Sequence, residues 1–230
     1  CYRHKAWNNK RLMFPTRIPT LSRTLCGFEF TENYSLILDG TDDYAETGSN
    51  VGISGDASRT LSFWVSFDVT ARTEHIINWG DTGSNEAFGF YHYANSDIYF
   101  YDDGSDLNTT FEASEVDTWY HIVATYDGTT VRTYQNAAPK ATKTVTLDTT
   151  DSHLFIGTKM DGTADFKGKL DEIAIWSAVL TADDITSIYN SGVPNNLLDA
   201  ASYNSDKSGN LVGWWGFEEG SGTSALDNST

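Results

Sequence analysis

The sequence predicts an all-β protein, an antiparallel β-sandwich with one short surface helix. Short runs of alternating apolar and polar residues recur from residue 34 onwards. Turn-forming Gly, Asp, Asn and Ser separate these runs at intervals of roughly 8–15 residues, a spacing typical of sandwiches and barrels. One segment instead shows the apolar period of an amphipathic helix. A chain of 230 residues is long enough to bury a core without disulfide staples.

The strands are predicted from alternation and from the turns that bound them. In Leu61–Phe67, apolar residues alternate with Ser62, Trp64 and Ser66, which is the pattern of a half-buried strand. The run Trp119–Tyr126 is apolar enough to be buried on both faces, and it ends at the hairpin signal Asp127-Gly128. The other predicted strands are Tyr34–Leu38, His75–Trp79, Phe88–Tyr93, Ile98–Tyr101, Thr130–Gln135, Thr142–Leu147, Leu154–Ile156 and Leu170–Trp176.

One helix is predicted after the last of these strands. Thr181 can cap its N-terminus, Asp184 stands three residues on as in a capping box, and Gly192 can end it. We expect a short surface helix packed on a sheet edge. Its apolar face would consist of Ile185, Ile188 and Tyr189.

The charge of the chain is strongly acidic and uneven. The net charge is −17 and the sequence pI is near 4.4, which argues against a nucleic-acid backbone or an anionic membrane as partner. It suits an extracellular or saline setting, or divalent cations as partners. Residues 1–28 carry no acid and six basic side chains, whereas the remaining 202 residues carry 9 basic and 32 acidic ones. The six are Arg3, Lys5, Lys10, Arg11, Arg17 and Arg23.

We expect residues 1–28 to be a basic anchoring arm attached to an acidic domain. The arm lacks the apolar run of a signal peptide. Both cysteines of the chain, Cys1 and Cys26, lie in this arm. A disulfide and two free thiols are both compatible with the sequence.

Four stretches together resemble the laminin-G-like or concanavalin-A-like lectin/glucanase domains. They are 36–44 (LILDGTDDY), 118–128 (TWYHIVATYDG), 155–157 (FIG) and 166–176 (FKGKLDEIAIW), the last followed by 178–181 and the helix. The resemblance covers about residues 34–192 and implies a concanavalin-A-like jelly roll. It is specific for fold and weak for function, because such families include enzymes, sugar binders and structural modules.

The resemblance sets the expected domain organisation. We expect the arm at 1–28, the sandwich at 29–200, and a C-terminal segment at 201–230. The phrase at 211–222 (LVGWWGFEEGSG) usually begins such domains, but here it stands after one. It either folds back to complete the sandwich or opens a second domain.

The sequence predicts no catalytic residues and no enzymatic activity. Glucanases of the resembled fold carry the strand pattern Glu-x-Asp-x-x-Glu, which supplies the paired carboxylates of a retaining mechanism. Here Glu172 is followed by Ala174 and Ser177 at the other two positions. His121 lies in a buried strand and is expected to be a hydrogen-bonded core residue.

Asp171 is the acid most in need of an explanation. Strand parity places it on the same face as Ile173 and Ile175, towards the core, where an ionised carboxylate needs a partner. A cap on backbone N–H groups, a pair with a nearby lysine and a calcium ligand are the three alternatives. The resemblance implies a structural calcium near this Asp, with Glu218 and Asp227 as the best matches for further ligands.

The aromatic residues form the last signal. Trp64 lies opposite the apolar face of its strand and is expected to point outwards. Tyr91 and Tyr93 share one face of their strand, and Tyr99 and Tyr101 share one face of the next. Exposed rings can stack on sugars, whereas a second layer covering that face would make them core. The predicted carbohydrate-binding residues are Trp64, Tyr91, Tyr93, Tyr99 and Tyr101.

These observations favour a non-catalytic surface module that binds glycan or host-surface polysaccharide, or that acts in adhesion. Similar modules decorate marine phage virions, so the expected setting is a virion or extracellular surface. There the arm would attach the domain to a capsid, tail or other large assembly. The alternative is a secreted glycan-active enzyme or its accessory carbohydrate-binding domain.

Overall fold

The computed structural model describes residues 34–68, 72–94, 97–111 and 115–229, and the backbone of two short strands before them. The strands are β1 (Thr24–Leu25), β2 (Phe28–Glu29), β3 (Leu36–Asp39), β4 (Ala45–Asn50), β5 (Arg59–Phe67), β6 (Glu74–Gly80), β7 (Ala87–His92), β8 (Ile98–Tyr101), β9 (Leu107–Asn108), β10 (Trp119–Tyr126), β11 (Thr130–Gln135), β12 (Ala138–Thr144), β13 (His153–Ile156), β14 (Lys167–Trp176) and β15 (Leu211–Trp215). Helix α1 spans Ala182–Tyr189. Short 3₁₀ turns lie at Asn190–Gly192, Ala200–Ser202 and Ser208–Asn210.

Two antiparallel sheets face each other and confirm the predicted sandwich. One sheet has seven strands in the order β12-β11-β10-β5-β14-β15, with β3 also paired to β14. The other has six strands in the order β4-β13-β6-β7-β8-β9. The described residues contain no helix with the length and apolar character that a membrane crossing requires.

The core between the sheets is built from alternate residues of each strand. Phe63 of β5 meets Phe90 of β7 edge to face, with ring centroids 5.5 Å apart. Phe88 and Phe100 pack beside this pair, and their own ring centroids lie 4.9 Å apart. All four rings are fully buried, and burying a side chain of this size contributes about 1.5–3 kcal/mol. The period-2 pattern of the sequence therefore identifies this core correctly.

Helix α1 covers the outer face of the seven-stranded sheet. Thr181 and Asp184 form the predicted capping box, because the Thr181 hydroxyl accepts from the Asp184 N–H while the Asp184 carboxylate accepts from the Thr181 N–H. Ile185 and Ile188 pack against a second apolar cluster that includes Trp176. The prediction that the helix lies on a sheet edge and runs to Gly192 is wrong. It packs on a sheet face and ends at Asn190, whose left-handed backbone closes the last turn.

Strand β14 pairs with a strand from near each end of the described chain, β3 and β15. Its residues Lys167–Leu170 pair with β3, and its residues 173–176 pair with β15, so β3 and β15 lie end to end along one edge. The segment at 211–215 thus adds a strand to the sandwich. The prediction of an arm at residues 1–28 falls outside the described residues, apart from the backbone of β1 and β2, which pair with each other.

The β11–β12 hairpin contains a backbone conformation that glycine would favour. Asn136 and Ala137 both have positive φ, 50° and 64°, as in a type I′ turn. An alanine in this region carries a steric cost of about 1–2 kcal/mol that glycine avoids.

We therefore expect Ala137→Gly to raise the free energy of unfolding by about 0.5–1 kcal/mol, since relief of the steric cost exceeds the entropy that glycine loses. Urea unfolding measures the change. Ala138→Gly is the matched control, because Ala138 is exposed and does not have positive φ. The control should lose stability, and equal losses in both variants would show that the turn is not strained.

Candidate functional site

The outer face of the six-stranded sheet brings four aromatic side chains together. The register pairs His75 of β6 with Tyr91 of β7, and Tyr91 with Tyr99 of β8. Residues paired across an antiparallel ladder point to the same face. Phe90 and Phe100 alternate with the tyrosines and point into the core, so the strand period directs the tyrosines outwards. We call His75, Tyr91, Tyr93 and Tyr99 the aromatic patch.

Three rings of the patch form a continuous stack. His75 lies on Tyr91 with centroids 5.3 Å apart and planes 21° from parallel. Tyr91 lies on Tyr99 at 5.2 Å and 15°. Both faces of Tyr91 are therefore covered by neighbouring rings, and this residue cannot offer a face to a ligand.

Tyr93 is the ring of the patch that remains open. It is 45% exposed. It stands nearly perpendicular to Tyr91, at 6.3 Å and 79°, and to Tyr99, at 5.8 Å and 67°. The backbone N–H of Tyr93 donates to the Asp97 carbonyl at 2.7 Å, which fixes the end of the strand. The stack thus supports one exposed ring from the side.

Hydrogen-bonding groups border this ring. The Asn108 amide donates to Asp97 Oδ2 at 3.0 Å and to the Tyr99 hydroxyl at 3.3 Å. Asn108 reaches this position because β9 pairs with β8 and places it opposite Tyr99. The Tyr91 hydroxyl bonds the Asp106 carboxylate. The patch therefore combines one open ring with carboxylate, amide and hydroxyl groups.

Burial and nearby charges set the protonation of the patch. Burial, reinforced by Lys159, lowers the pKa of His75 to about 4, although Asp161 opposes the change. The imidazole is consequently neutral at pH 7. Burial together with Asp106 raises the pKa of Tyr91, so its hydroxyl keeps its proton.

Two residues predicted as sugar-binding are not exposed. Tyr101 is 3% exposed and packs edge-on against His75 of the patch, with ring centroids 4.7 Å apart. Trp64 does lie on the outer face of its strand, but it is 8% exposed because α1 covers that face. Tyr189 of α1 stacks on it at 5.8 Å and 22°. The expectation that Trp64 points to solvent is wrong.

Trp64 belongs to a buried ring cluster with His121 and Tyr189. His121 lies 5.1 Å from Trp64 and 5.7 Å from Tyr189. Its Nε2 and the Ser62 hydroxyl are 2.7 Å apart. The structure thus places His121 as the hydrogen-bonded core residue that the sequence indicated. Burial lowers its pKa to about 3.

Asp171 does not share a face with Ile173 and Ile175, contrary to the parity argument. A β-bulge at Glu172, whose φ is 46°, inserts one extra residue into β14. Asp171 consequently pairs with Trp64 on the outer face, whereas Leu170 and Ile173 belong to the inner core. Asp171 is 1% exposed, and its Oδ1 accepts the Glu172 N–H at 2.8 Å.

The bulge lies opposite the place where β3 and β15 meet, which we call the seam. Glu172 is 4% exposed there. Its Oε2 accepts the Trp214 indole N–H at 2.7 Å, and its buried Oε1 has no hydrogen-bond partner. Burial and the charge of Glu218 raise its pKa well above the ordinary value. Glu218 itself accepts the Tyr34 N–H at 3.1 Å.

The three predicted calcium ligands are used differently. Asp171 and Glu218 lie at the seam, while Asp227 Oδ1 accepts the backbone N–H groups of Trp214 and Ser229. Within the described residues, the acids that approach within 4.8 Å as a group of three are Asp39, Asp42 and Asp43, at the turn after β3. The predicted set is not such a group.

Comparison with known proteins establishes the family. A profile of the concanavalin A-like lectin/glucanases superfamily matches residues 39–186. The chain belongs to this superfamily. The match covers strands of both sheets, from the end of β3 to α1, so the concanavalin-A-like jelly roll predicted from the sequence is confirmed. Comparison with curated protein sequences finds no match.

Solved structures share the fold at low sequence identity. Domain 4 of AbnA, a GH43 extracellular arabinanase from Geobacillus stearothermophilus in complex with arabinotriose, has a TM-score of 0.56 and 19% identity, over 68% of this chain and 77% of that one. A Bacteroides ovatus protein whose carbohydrate binding is inferred has a TM-score of 0.62 and 17% identity, and the match covers 90% of this chain and 61% of that one. A heptameric SAP-like pentraxin from Limulus polyphemus has a TM-score of 0.56 and 14% identity, and the match covers 84% of this chain and 91% of that one.

The buried imidazole of His121 makes stability depend on pH. Its pKa is lower in the native state than in the unfolded chain, about 3 against 6.5. The unfolded state therefore takes up a proton first as pH falls. The stabilisation is present above the unfolded pKa and is lost on acidification, at about 1.4 kcal/mol per pH unit.

We expect His121→Gln, which can keep a hydrogen bond to Ser62, to remove this dependence. Between pH 7 and pH 5 the wild-type chain should lose about 2 kcal/mol more than the variant. Urea unfolding at both pH values measures the difference, in which contributions from the other titrating groups cancel. Parallel pH curves for the two proteins would contradict the assignment.

Proposed function

We propose that this domain is a non-catalytic carbohydrate-binding module and that the aromatic patch is its glycan site. One observation carries the proposal: the exposed Tyr93 ring packs edge-on against Tyr99, whose hydroxyl accepts from the Asn108 amide that also donates to Asp97. A sugar ring has an apolar C–H face and a rim of hydroxyls. An open aromatic face with a few fixed polar groups around it is complementary to both.

The related structures support a glycan ligand. Of those compared above, one was solved with arabinotriose and belongs to an arabinanase, and a second is inferred to bind carbohydrate. Identities of 19% and 17% carry the fold alone to this chain. The ligand class is therefore inferred from the patch, with the relatives as additional support.

Glu172 argues for a non-catalytic role. A retaining glycosidase needs two accessible carboxyl groups about 5–5.5 Å apart across the glycosidic bond. Glu172 is 4% exposed and faces the seam, where the Trp214 indole occupies one of its oxygens. Ala174 and Ser177 stand where the glucanase pattern places its other acids.

Replacing Tyr93 tests the proposal. We expect Tyr93→Ala to weaken binding of arabino- or laminari-oligosaccharides about 5- to 10-fold, since an aromatic contact contributes about 1 kcal/mol. Tyr93→Phe should retain most of the affinity because it keeps the ring. Isothermal titration calorimetry measures both, and chromatography should recover the oligosaccharide uncleaved.

The matched control is Leu198→Ala, which removes an equally exposed side chain (45%) beside the apolar layer of α1. It should bind like the wild type. Unchanged binding in Tyr93→Ala, or loss in the control, would show that the glycan site lies elsewhere.

Calcium is the cofactor that we propose, as a structural ion at the seam. The buried Glu172 Oε1 without a partner, next to the charge of Glu218, is an arrangement that a hard cation would neutralise. Asp171, Glu172 and Glu218 do not lie within 4.8 Å of one another as a group in the described structure, so the ion would draw these three carboxylates together. Asp227 would orient β15 through its backbone contacts.

If calcium binds the native state, it should raise the melting temperature by mass action. At 100 times the dissociation constant the gain is about 2.7 kcal/mol, or roughly 5–10 °C for a domain of this size. Asp171→Asn and Glu172→Gln should each abolish the calcium dependence, whereas Asp39→Asn in the turn after β3 should retain it. Identical melting curves of the wild type in calcium and in chelator would exclude the ion.

The setting of the module is inferred from charge. The +6 of residues 1–28 opposes the −23 of the remaining residues, so the arm is suited to an acidic neighbour in a larger assembly. Display on a virion or other extracellular surface remains the prediction for this chain.

A further inference from the structure

Carboxylates surround the aromatic patch. Asp97 accepts from Asn108, and Asp106 bonds the Tyr91 hydroxyl. Asp103 lies beside the Tyr101 hydroxyl, and Asp161 also acts on that group electrostatically. Asp102 is buried at the start of the same loop and accepts the N–H groups of Gly104 and Ser105. The border of the patch is therefore acidic on more than one side.

In the part of the chain that the structure describes, the lysines near the patch are already paired. Lys143 binds the Asp102 carboxylate and the Ser105 carbonyl. Lys159 lies 3.3 Å from Asp161. His75, the remaining basic group of the patch, is neutral at pH 7 because burial lowers its pKa to about 4. Among the described residues, these contacts place five aspartates and two lysines at the patch, and each lysine already has a carboxylate partner.

The tyrosines respond to this negative environment. After burial, the largest cause that raises the pKa of Tyr91 is the charge of Asp106, and for Tyr101 it is the charge of Asp103. Another negative group placed at these hydroxyls would meet the same repulsion that disfavours the tyrosinates.

We infer that the patch binds uncharged glycans and discriminates against glycans that carry carboxylate or sulfate groups. The inference rests on the proposed glycan-binding function and assigns the substrate class of that site. A sugar hydroxyl can donate to Asp97 or Asp106, whereas a sugar carboxylate or sulfate offers only acceptors to side chains that are themselves acceptors. Proteins usually hold such anions with arginine or lysine that is free to pair.

A pair of galactans tests the inference. Oligosaccharides of κ-carrageenan and the same oligosaccharides after chemical desulfation share one backbone and differ only in the sulfate. Calorimetric titration of the full chain should show at least about tenfold tighter binding of the neutral member, equivalent to about 1.4 kcal/mol. Arabino-, laminari- and alginate oligosaccharides extend the comparison. The difference should shrink at 0.5 M NaCl, because salt screens exposed charges.

Neutralising the border should relax the discrimination. In Asp97→Asn/Asp106→Asn, binding of the sulfated oligosaccharide should improve about 3- to 10-fold relative to the neutral one. Each asparagine keeps an oxygen that can accept the existing hydrogen bond. The control Asp183→Asn/Asp206→Asn changes the net charge equally at positions on α1 and the loop after it, and should leave the ratio unchanged.

Three outcomes separate the two proposals. Neutral preference that depends on Tyr93 and on the aspartate pair supports both. Equal or tighter binding of the sulfated member, lost in Tyr93→Ala, overturns the discrimination and leaves the glycan site intact. Tyr93-independent binding, or no binding across the panel, overturns the proposed function together with the inference.

Discussion

The sandwich depends on β14, because this strand holds β5 on one side and both β3 and β15 on the other. The bulge at Glu172 lets Leu170 and Ile173 both enter the core. The same bulge buries the carboxylates of Asp171 and Glu172, which is unfavourable unless they have hydrogen-bond or ionic partners. The Trp214 indole N–H is such a partner for Glu172. A Cβ at Gly216 would lie 2.6 Å from Glu172 Oε1, so any larger residue there would displace this carboxylate.

A second bulge shapes the other sheet. The register shifts between His75 and Ile77, so these residues point to opposite faces although they are two apart. Ile77 enters the core, and His75 turns outwards onto Tyr91. Bulges often change the direction of a side chain next to a functional site. In this domain they place His75 in the aromatic patch and Asp171 at the seam, on the outer face of its sheet.

These two bulges decide which side-chain directions could be predicted from the sequence. Alternation alone finds the strands with their inward phenylalanines, and it places Tyr91 and Tyr99 opposite the apolar face of their strands. That these two tyrosines pair with each other is known only from the register. It fails for Asp171, because one inserted residue reverses the parity of everything beyond it. It also misses His75 for the same reason. Asn108 is missed because β9 has only two residues, too few for a periodic signal, although its register opposite Tyr99 decides its role.

The burial of Trp64 depends on a helix that packs over it, and the alternation of residues in its strand does not reveal that helix. Its strand directs it outwards as predicted, but the chain returns over that face as α1, and Tyr189 closes the stack with His121. Other residues predicted correctly by parity can likewise be buried by a later segment. The direction of a side chain is a local property, whereas its exposure depends on residues more than a hundred positions away.

The two sheets therefore carry the same ring chemistry with different consequences. Each has an aromatic stack that includes a histidine on its outer face, His121 in one and His75 in the other. In the seven-stranded sheet the helix layer covers the stack, which contributes to a second apolar layer. In the six-stranded sheet Tyr93 stays 45% exposed at the edge of a stack whose inner rings already hold one another. Because Tyr91 and Tyr99 fix that ring before any ligand arrives, little side-chain entropy remains to be lost on binding, and even a single open ring can contribute usefully to affinity.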